Sequence, residues 1–115
     1  MTPEQYTAVE AFVDIVRRHY GTRLVDVRVY GSRARGEAHD ESDLDLAIIL
    51  DDGNWEFWDE KRWLAKQASP ARFKADIYIQ PWPVRRSAWD DPSTHANPRL
   101  IEKMRRDARD LKDAA

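Results

Sequence analysis

Residues 24–50 read LVDVRVYGSRARGEAHDESDLDLAIIL, and their pattern indicates which fold class the chain adopts. Apolar side chains recur at every second position at both ends of this stretch: Val25, Val27 and Val29 first, then Leu44, Leu46, Ile48 and Leu50. A period of two is typical of a strand that buries one face. We therefore predict two half-buried strands, Leu24 to Tyr30 and Asp43 to Leu50, joined by a polar segment that contains glycine.

The flanking sequence predicts three helices and a third strand. Thr2 and Gln5 form a capping box, and Pro3 suits the first helical position. Pro70 is expected to stop the second helix, because proline removes an amide hydrogen bond and clashes with the preceding turn. The predicted segments are a helix at Pro3 to Tyr20, a turn at Asp51 to Asn54, a helix at Trp55 to Ala68, a strand at about Arg72 to Gln80 closed by Pro81 and Pro83, a long irregular connection at Val84 to Asn97 and a last helix from near Pro98.

These elements predict an α/β (α+β) protein made of one domain, residues 1–115. A length of 115 residues is usual for a single domain, and no internal repeat divides the chain. Strands that alternate apolar and polar side chains bury one face and leave the other at least partly wet. We therefore expect a small mixed sheet of about three strands, with helices packed on one face and polar chemistry on the other.

Composition excludes several classes of protein. The chain has no cysteine, so it carries neither a disulfide framework nor a thiolate metal site. Its 19 basic and 21 acidic residues leave a formal charge of −2, whereas a general nucleic-acid binder carries a basic excess. No apolar run approaches the roughly 20 residues that span a bilayer, and the first residues do not resemble a signal peptide. We therefore expect a cytoplasmic protein with neither membrane contact nor general nucleic-acid binding.

Three aspartates lie on the polar faces of the predicted strands. Asp43 and Asp45 are two positions apart, so both side chains project from the same side of the second strand. Asp76 occupies the polar side of the predicted third strand and is expected to meet them across the sheet. Clustered carboxylates repel one another unless a cation neutralises them, and hard oxygen ligands favour Mg²⁺ or Mn²⁺. The expected site therefore binds divalent metal and, through the metal's open positions, a polyphosphate.

A candidate phosphate-binding turn lies between the first two strands. Gly31 lacks a Cβ and lets the backbone approach a ligand closely, and Ser32 adds a hydroxyl. Arg33 and Arg35 add cationic donors for phosphate oxygens. The segment is not a Walker A loop, because Gly36 is not followed by the Lys and Ser or Thr of that motif. Each feature alone has a structural explanation, a turn or a solvated strand edge, so the prediction depends on their combination.

The combination resembles a known family. Gly31 and Ser32, then ten residues, then Asp43-Leu44-Asp45 resemble the Gly-Ser, ten-residue, Asp-x-Asp hallmark of the minimal nucleotidyltransferase (MNT) branch of the DNA polymerase β superfamily. The family has a third acidic residue on a later strand, and Asp76 resembles it. The resemblance extends over about residues 3 to 112, and it implies the nucleotidyltransferase fold.

The resemblance also implies a role for each matching residue. Asp43 and Asp45 would ligate metal, and Asp76 would ligate the catalytic metal and help to deprotonate the nucleophile. The implied nucleotide-binding residues are Gly31, Ser32, Arg33 and Arg35. One of the two arginines is expected to touch phosphate while the other braces the loop. The implied cofactors are two Mg²⁺ or Mn²⁺ ions, with ATP as the substrate.

Chain length motivates a hypothesis about the acceptor. Small MNT proteins are often encoded beside an all-α HEPN ribonuclease toxin and act as its antitoxin, and AMP is transferred from ATP onto a tyrosine of the toxin. By resemblance, we expect this chain to be such a protein adenylyltransferase and antitoxin, with an HEPN toxin as its partner. A length of 115 residues leaves no room for a separate acceptor-binding domain, which favours an acceptor that brings its own binding surface.

Two other functions are consistent with the same residues. A non-catalytic MNT module would neutralise a partner by occlusion, with the aromatic helix from Trp55 to Trp63 or the Trp82–Trp89 segment as its contact surface. A small-molecule nucleotidyltransferase, similar to the aminoglycoside-modifying enzymes, would be completed by a second subunit. A calcium-binding or phosphorelay-like acidic domain is disfavoured, because it leaves the Gly-Ser-Arg turn unexplained.

Overall fold

The computed structural model describes residues 1–37 and 43–114. Residues 38–42, which belong to the polar segment predicted between the first two strands, lie outside the described residues, as does Ala115. The helices are α1 (Pro3–Tyr20), α2 (Phe57–Ala75), α3 (Arg86–Asp90) and α4 (Pro98–Asp107), and the strands are β1 (Leu24–Tyr30), β2 (Leu44–Leu50) and β3 (Ile79–Arg85). None of the helices in these ranges is long and apolar enough to cross a membrane.

The three strands form one mixed sheet in the order β1-β2-β3. β1 and β2 are antiparallel, with Tyr30 opposite Asp45, and β2 and β3 are parallel, with Asp45 opposite Gln80. The prediction of α1 is confirmed, including the capping box between Thr2 and Gln5. The first two strands lie within one residue of their predicted bounds. The predicted small mixed sheet with packed helices is therefore confirmed.

Helices also cover much of the second sheet face, although we expected helices on one face and a second face that is at least partly wet. On the first face, α1 and α2 bury alternate residues of β2: Leu44, Leu46, Ile48 and Leu50. On the second face, α3 and α4 bury a separate cluster: Ala47, Ile49, Val84, Ala88, Ile101 and Met104. The difference arises because α4 is amphipathic and places its apolar side on the sheet. The polar side chains expected on this face therefore lie at one end of it, around Asp45.

The second helix continues through Pro70 to Ala75, although we predicted that Pro70 would stop it. Proline at this position removes the amide that would bond the carbonyl of Lys66. The Ser69 hydroxyl donates to that carbonyl at 3.1 Å and replaces the missing bond. Ala68 and Ala71 are buried in the core on either side of the proline, so packing also stabilises the continued helix.

β3 lies further along the chain than predicted, and it contains the two prolines that were expected to close it. β3 is an edge strand, with β2 as its neighbour. The amide of Leu44 donates to the carbonyl of Tyr78 at 2.8 Å, so the odd-numbered positions of β3 direct their amide side away from β2. Pro81 and Pro83 therefore occupy positions where no ladder hydrogen bond is lost, which a strand edge tolerates.

The chain after β3 contains more regular structure than predicted. The connection predicted at Val84 to Asn97 holds the end of β3, α3 and a 3₁₀ turn. α4 ends at Asp107, and Arg109 then pairs with Val29 of β1 through two backbone hydrogen bonds of 2.8 and 2.9 Å. This pairing draws the end of α4 toward the turn that follows β1.

Candidate active site

A row of three side chains crosses the sheet at the end where β1 stops and β2 starts. Tyr30 ends β1, Asp45 lies opposite it on β2, and Gln80 lies beside Asp45 on β3. All three are half-buried, on the sheet face that α4 covers further along. Asp43 precedes β2 and is exposed, and the rise of two strand residues separates its Cα from that of Asp45 by roughly 6.6 Å. The structure therefore keeps the two predicted carboxylates as neighbours.

The turn after β1 brings Gly31 against the Asp45 carboxylate. Three backbone hydrogen bonds close the turn: from Arg35 to Gly31 at 3.2 Å, from Gly36 to Arg33 at 3.4 Å and from Glu37 to Ser32 at 3.0 Å. Gly31 has a φ of +78°, and a Cβ at this position would lie 2.5 Å from Oδ2 of Asp45. The backbone conformation therefore favours glycine, and a Cβ at this position would displace the Asp45 carboxylate. Ser32 follows directly and is half-buried.

The ionised form of Asp45 is disfavoured in the protein. Burial raises the pKa of Asp45 above its ordinary value, and the Asp43 carboxylate raises it further. Three cations act in the opposite direction: Lys103, Arg35 and Lys61. Burial and the Asp45 carboxylate together raise the pKa of Tyr30. The pair of carboxylates therefore carries an electrostatic cost that a bound cation would offset.

Arg35 braces the turn against α4. Its guanidinium donates to the Asp107 carboxylate at 2.7 Å and to the Glu37 carboxylate at 3.1 Å. Asp107 is 6% exposed, so the ion pair is partly buried. Arg33 is itself buried, with 9% of its surface exposed. Arg35 thus has the bracing role expected of one arginine, and a phosphate contact by either arginine stays a prediction.

Asp76 does not lie on a strand, contrary to the prediction. It is the exposed C-cap residue of α2, with φ 53° and ψ 42° in the left-handed region, which aspartate adopts more readily than most residues. Its amide donates to the carbonyl of Arg72 at 3.1 Å, and its carbonyl accepts from Gln5 at 3.4 Å. Within residues 1–37 and 43–114, no group of three or more acidic, histidine or cysteine side chains gathers to hold a metal ion. The convergence predicted for Asp43, Asp45 and Asp76 is therefore absent from this part of the chain.

Sequence reasoning missed several side chains around Asp45: Tyr30, Lys61, Gln80, Lys103 and, behind Arg35, Asp107. Lys61 reaches from α2 to the edge of β3, where its Nζ donates to the carbonyl of Pro81 at 2.5 Å. Burial lowers the pKa of Lys61, and Asp45 acts against that shift. Tyr30 could have been found, because it ends a strand whose alternation was read correctly. The others lie on α2, β3 and α4, and no spacing in the sequence connects those elements with Asp45.

The arrangement fits a divalent cation shared between protein and phosphate. Mg²⁺ is commonly held by one or two carboxylates and completes its shell with water and substrate phosphates. Asp43 and Asp45 supply such a pair of carboxylates, and burial of Asp45, followed by the charge of Asp43, raises the pKa of Asp45. Lys61 and Lys103 add positive potential for phosphate oxygens nearby. Asp43 and Asp45 therefore fit one such ion, to which each would contribute a carboxylate.

Comparisons with known proteins identify the family and the fold. A family model described as nucleotidyltransferase domain matches residues 9–90, a range that includes the whole sheet and the turn after β1. A candidate nucleotidyltransferase from Sulfolobus solfataricus, known from its crystal structure, has a similar fold, with a TM-score of 0.55 and 18% sequence identity over 75% of this chain and 71% of that chain. At this identity the likeness concerns the fold alone. A search of curated proteins gave no significant match.

Proposed function

The chain belongs to the nucleotidyltransferase domain family, and on that premise we propose that Asp43 and Asp45 are the centre of a metal-dependent nucleotidyl transfer from ATP to a protein acceptor. The observation that carries the proposal is the approach of Gly31 to Asp45, where a Cβ would lie 2.5 Å from Oδ2. This approach sets the backbone of the turn next to the carboxylate pair. The oxygens of a triphosphate bind amide donors, and its cation binds carboxylate ligands, so the two kinds of group have to lie side by side.

The residues of the chain position the reacting groups and balance their charge. The Ser32 amide and hydroxyl, at the start of the turn, donate to phosphate oxygens, while Lys61 and Lys103 supply positive potential. The acceptor hydroxyl oxygen attacks the α-phosphorus in line, and the bond from that phosphorus to the bridging oxygen breaks. Pyrophosphate leaves with the bonding electron pair, and the hydroxyl proton passes to water. Catalysis consists mainly of orientation, because the protein forms no covalent bond with the nucleotide.

Mg²⁺ or Mn²⁺, when bound, supplies Lewis-acid polarisation of the α-phosphate and stabilises the charge of pyrophosphate. Asp43 and Asp45 are the ligands that we assign to it. Two ions and three carboxylates were expected from the sequence, but Asp76 ends a helix, so the proposal includes one ion and two carboxylates.

For the acceptor, we infer a tyrosine hydroxyl on an HEPN ribonuclease toxin encoded beside this chain, with the chain as its antitoxin. The support is the resemblance of the Gly-Ser, ten-residue, Asp-x-Asp motif to that of MNT antitoxins. A toxin that is modified on tyrosine brings its own folded surface to the reaction. The acceptor therefore needs no enclosed pocket in this chain.

ATP labelled at the α-phosphate tests the proposed transfer. The purified chain is incubated with this ATP, Mg²⁺ and the protein of the adjacent gene, and label on that protein is located by peptide mapping. We expect label on tyrosine together with an equal amount of pyrophosphate, and loss of both in a variant with Asp43→Asn and Asp45→Asn. Pyrophosphate release onto a small molecule instead of the protein would favour the small-molecule alternative. No turnover of ATP by the wild-type chain with any acceptor would contradict the proposal.

A second candidate function is neutralisation of the partner by occlusion, without catalysis. Gln80 favours it, because this amide lies beside Asp45 in the sheet, where a carboxylate would have strengthened a metal site. The variant with Asp43→Asn and Asp45→Asn distinguishes the two functions. Occlusion predicts that this variant still neutralises the toxin in cells that express both proteins, whereas catalysis predicts that neutralisation is lost.

A further inference from the structure

A groove of about 230 Å³ runs between α2 and the outer edge of β3. Its α2 wall consists of positions 65, 68, 69, 72 and 73, which share one side of the helix, and its β3 wall consists of residues 78–81. Pro81 and Pro83 leave the edge of β3 without outward amides at their positions. An occupant of this groove is therefore held by side-chain contacts rather than by adding a strand to the sheet.

Two large apolar side chains on the groove are exposed. Phe73 is 88% exposed and Tyr78 is 46% exposed, whereas Leu64 of the same helix is fully buried. Single exposed hydrophobic residues are ordinary on protein surfaces. Two of them on one concave surface offer an occupant adjacent apolar contacts.

The part of α2 that carries the groove wall is rich in basic residues, of which Arg72 lines the groove. Residues 61–75 include five basic residues and no acidic residue, although the whole chain has a formal charge of −2. Arg72 lies on the groove itself, and its guanidinium is 5.3 Å from the centre of the Tyr78 ring. The cation and the apolar patch are therefore adjacent, and a complementary partner presents an acidic side chain next to an apolar one.

The groove runs along the edge of β3 next to the proposed active site, and because the Asp45 carboxylate projects from the other face of the sheet, an occupant reaches it around that edge. Gln80 lines the groove and lies opposite Asp45 in the sheet register, so the two positions are one strand spacing apart, roughly 5 Å. The volume of about 230 Å³ lies below the roughly 300–1,000 Å³ typical of small-molecule pockets. An anchoring side chain of a polypeptide fits this size better than a nucleotide does.

We propose that this groove binds an acidic segment of the acceptor protein, which packs an apolar side chain against Phe73 and Tyr78 and pairs a carboxylate with Arg72. The inference rests on the proposed function, because it identifies the occupant as the protein that receives the nucleotidyl group. A segment bound here holds the acceptor next to Asp45, which raises the effective concentration of its hydroxyl at the α-phosphate.

The test measures binding and transfer separately, with the purified protein of the adjacent gene as the probe. Calorimetry gives its affinity for the wild-type chain and for Phe73→Ala, Arg72→Glu and Trp58→Ala. Trp58 is the matched control, since it is an aromatic residue of α2 that is 57% exposed and lies outside the groove. We expect the two groove variants to weaken binding by at least about tenfold and to raise KM for the acceptor, while Trp58→Ala changes affinity by less than about twofold. The affinity for ATP should be unchanged in all three variants.

Each outcome is decisive for one proposal or the other. Wild-type affinity in both groove variants, or no binding of the probe to the wild-type chain, overturns the groove proposal. Weaker ATP binding by Phe73→Ala also overturns it, because the groove would then hold the nucleotide. Groove-dependent binding without any transfer of label contradicts the proposed function and leaves the groove as a partner site. Unchanged thermal unfolding of the variants verifies that they are folded.

Discussion

The stretch at residues 24–50 and the stretch at residues 68–85 make unequal contributions to the candidate site. In the first, two strands and their connecting turn bring Gly31 to Asp45 and keep Asp43 nearby. In the second, a helix runs through proline, its cap holds Asp76, and the following strand presents Gln80 to Asp45. The first stretch supplies both carboxylates of the site. The second supplies an amide and most of the groove between α2 and β3.

This difference teaches how far a short motif determines a site. Two carboxylates two residues apart are positioned by a single strand, so their proximity follows from the backbone period. The position of a third carboxylate depends on where a helix ends, on the conformation of its cap and on the register of another strand. A shift in any of these moves the carboxylate. Asp76 shows the result, because it lies four positions before Gln80, the residue beside Asp45.

The largest expected effect compares one aspartate from each stretch. Asp45→Asn removes a charged oxygen ligand from the reacting centre, so we expect transfer to fall on the order of 10²–10³-fold. Asp76→Asn alters an exposed helix cap, so we expect transfer to change by less than about threefold. Initial rates of label transfer at saturating ATP and Mg²⁺ measure both. Equal losses in the two variants would mean that Asp76 joins the site in the working protein, and the contrast between the stretches would disappear.

A smaller effect is expected within the first stretch, from its two glycines at positive φ, Gly31 at 78° and Gly36 at 73°. Gly36→Ala adds a Cβ into open space and costs backbone strain alone, about 1–2 kcal/mol. Gly31→Ala adds the same strain plus the close contact with Asp45, so we expect about 2–4 kcal/mol and slower transfer. Urea unfolding measures the stability of both variants. Identical losses would show that the turn has room beside Asp45.

The smallest effect concerns the charge of Asp45 in the absence of metal. Burial and Asp43 raise its pKa, so ionisation of Asp45 costs more free energy in the folded state than in the unfolded chain, and stability is lost as pH rises through the folded pKa. Asp45→Asn therefore removes a cost that the wild-type chain bears at neutral pH, and we expect a gain of about 0.5–2 kcal/mol. The gain should shrink as pH is lowered toward the ordinary aspartate pKa. Thermal unfolding with a chelator measures it, and a variant less stable than wild type at pH 7 would contradict the electrostatic account.

Local chemistry accounts for the elements that were predicted correctly. The capping box of Thr2 and Gln5 begins α1, and alternation alone locates β1 and β2. The predictions were wrong at the prolines, where another part of the structure compensates for the missing amide hydrogen. Ser69 supplies the hydrogen bond that Pro70 removes, so the helix continues. The backbone nitrogens of Pro81 and Pro83 point away from β2, so no ladder hydrogen bond is lost and β3 continues as well.

The residues of the candidate site also separate into those that the sequence predicts and those that it does not. Gly31, Ser32, Asp43 and Asp45 could be named from the sequence, because all of them lie in one stretch of two strands and a turn. Lys61, Lys103 and Asp107 could not be named, because they reach the site from helices that are distant in sequence. Their positions depend on the packing of α2 and α4 against opposite faces of the sheet.

The sequence by itself determined which family the chain resembles and where its paired carboxylates lie, since hydrogen bonding within a strand and a turn acts over a few residues. The tertiary structure alone decided which side chains surround that pair. Gln80 rather than Asp76 lies beside Asp45, because strand register is set by the burial of whole faces and not by any local signal.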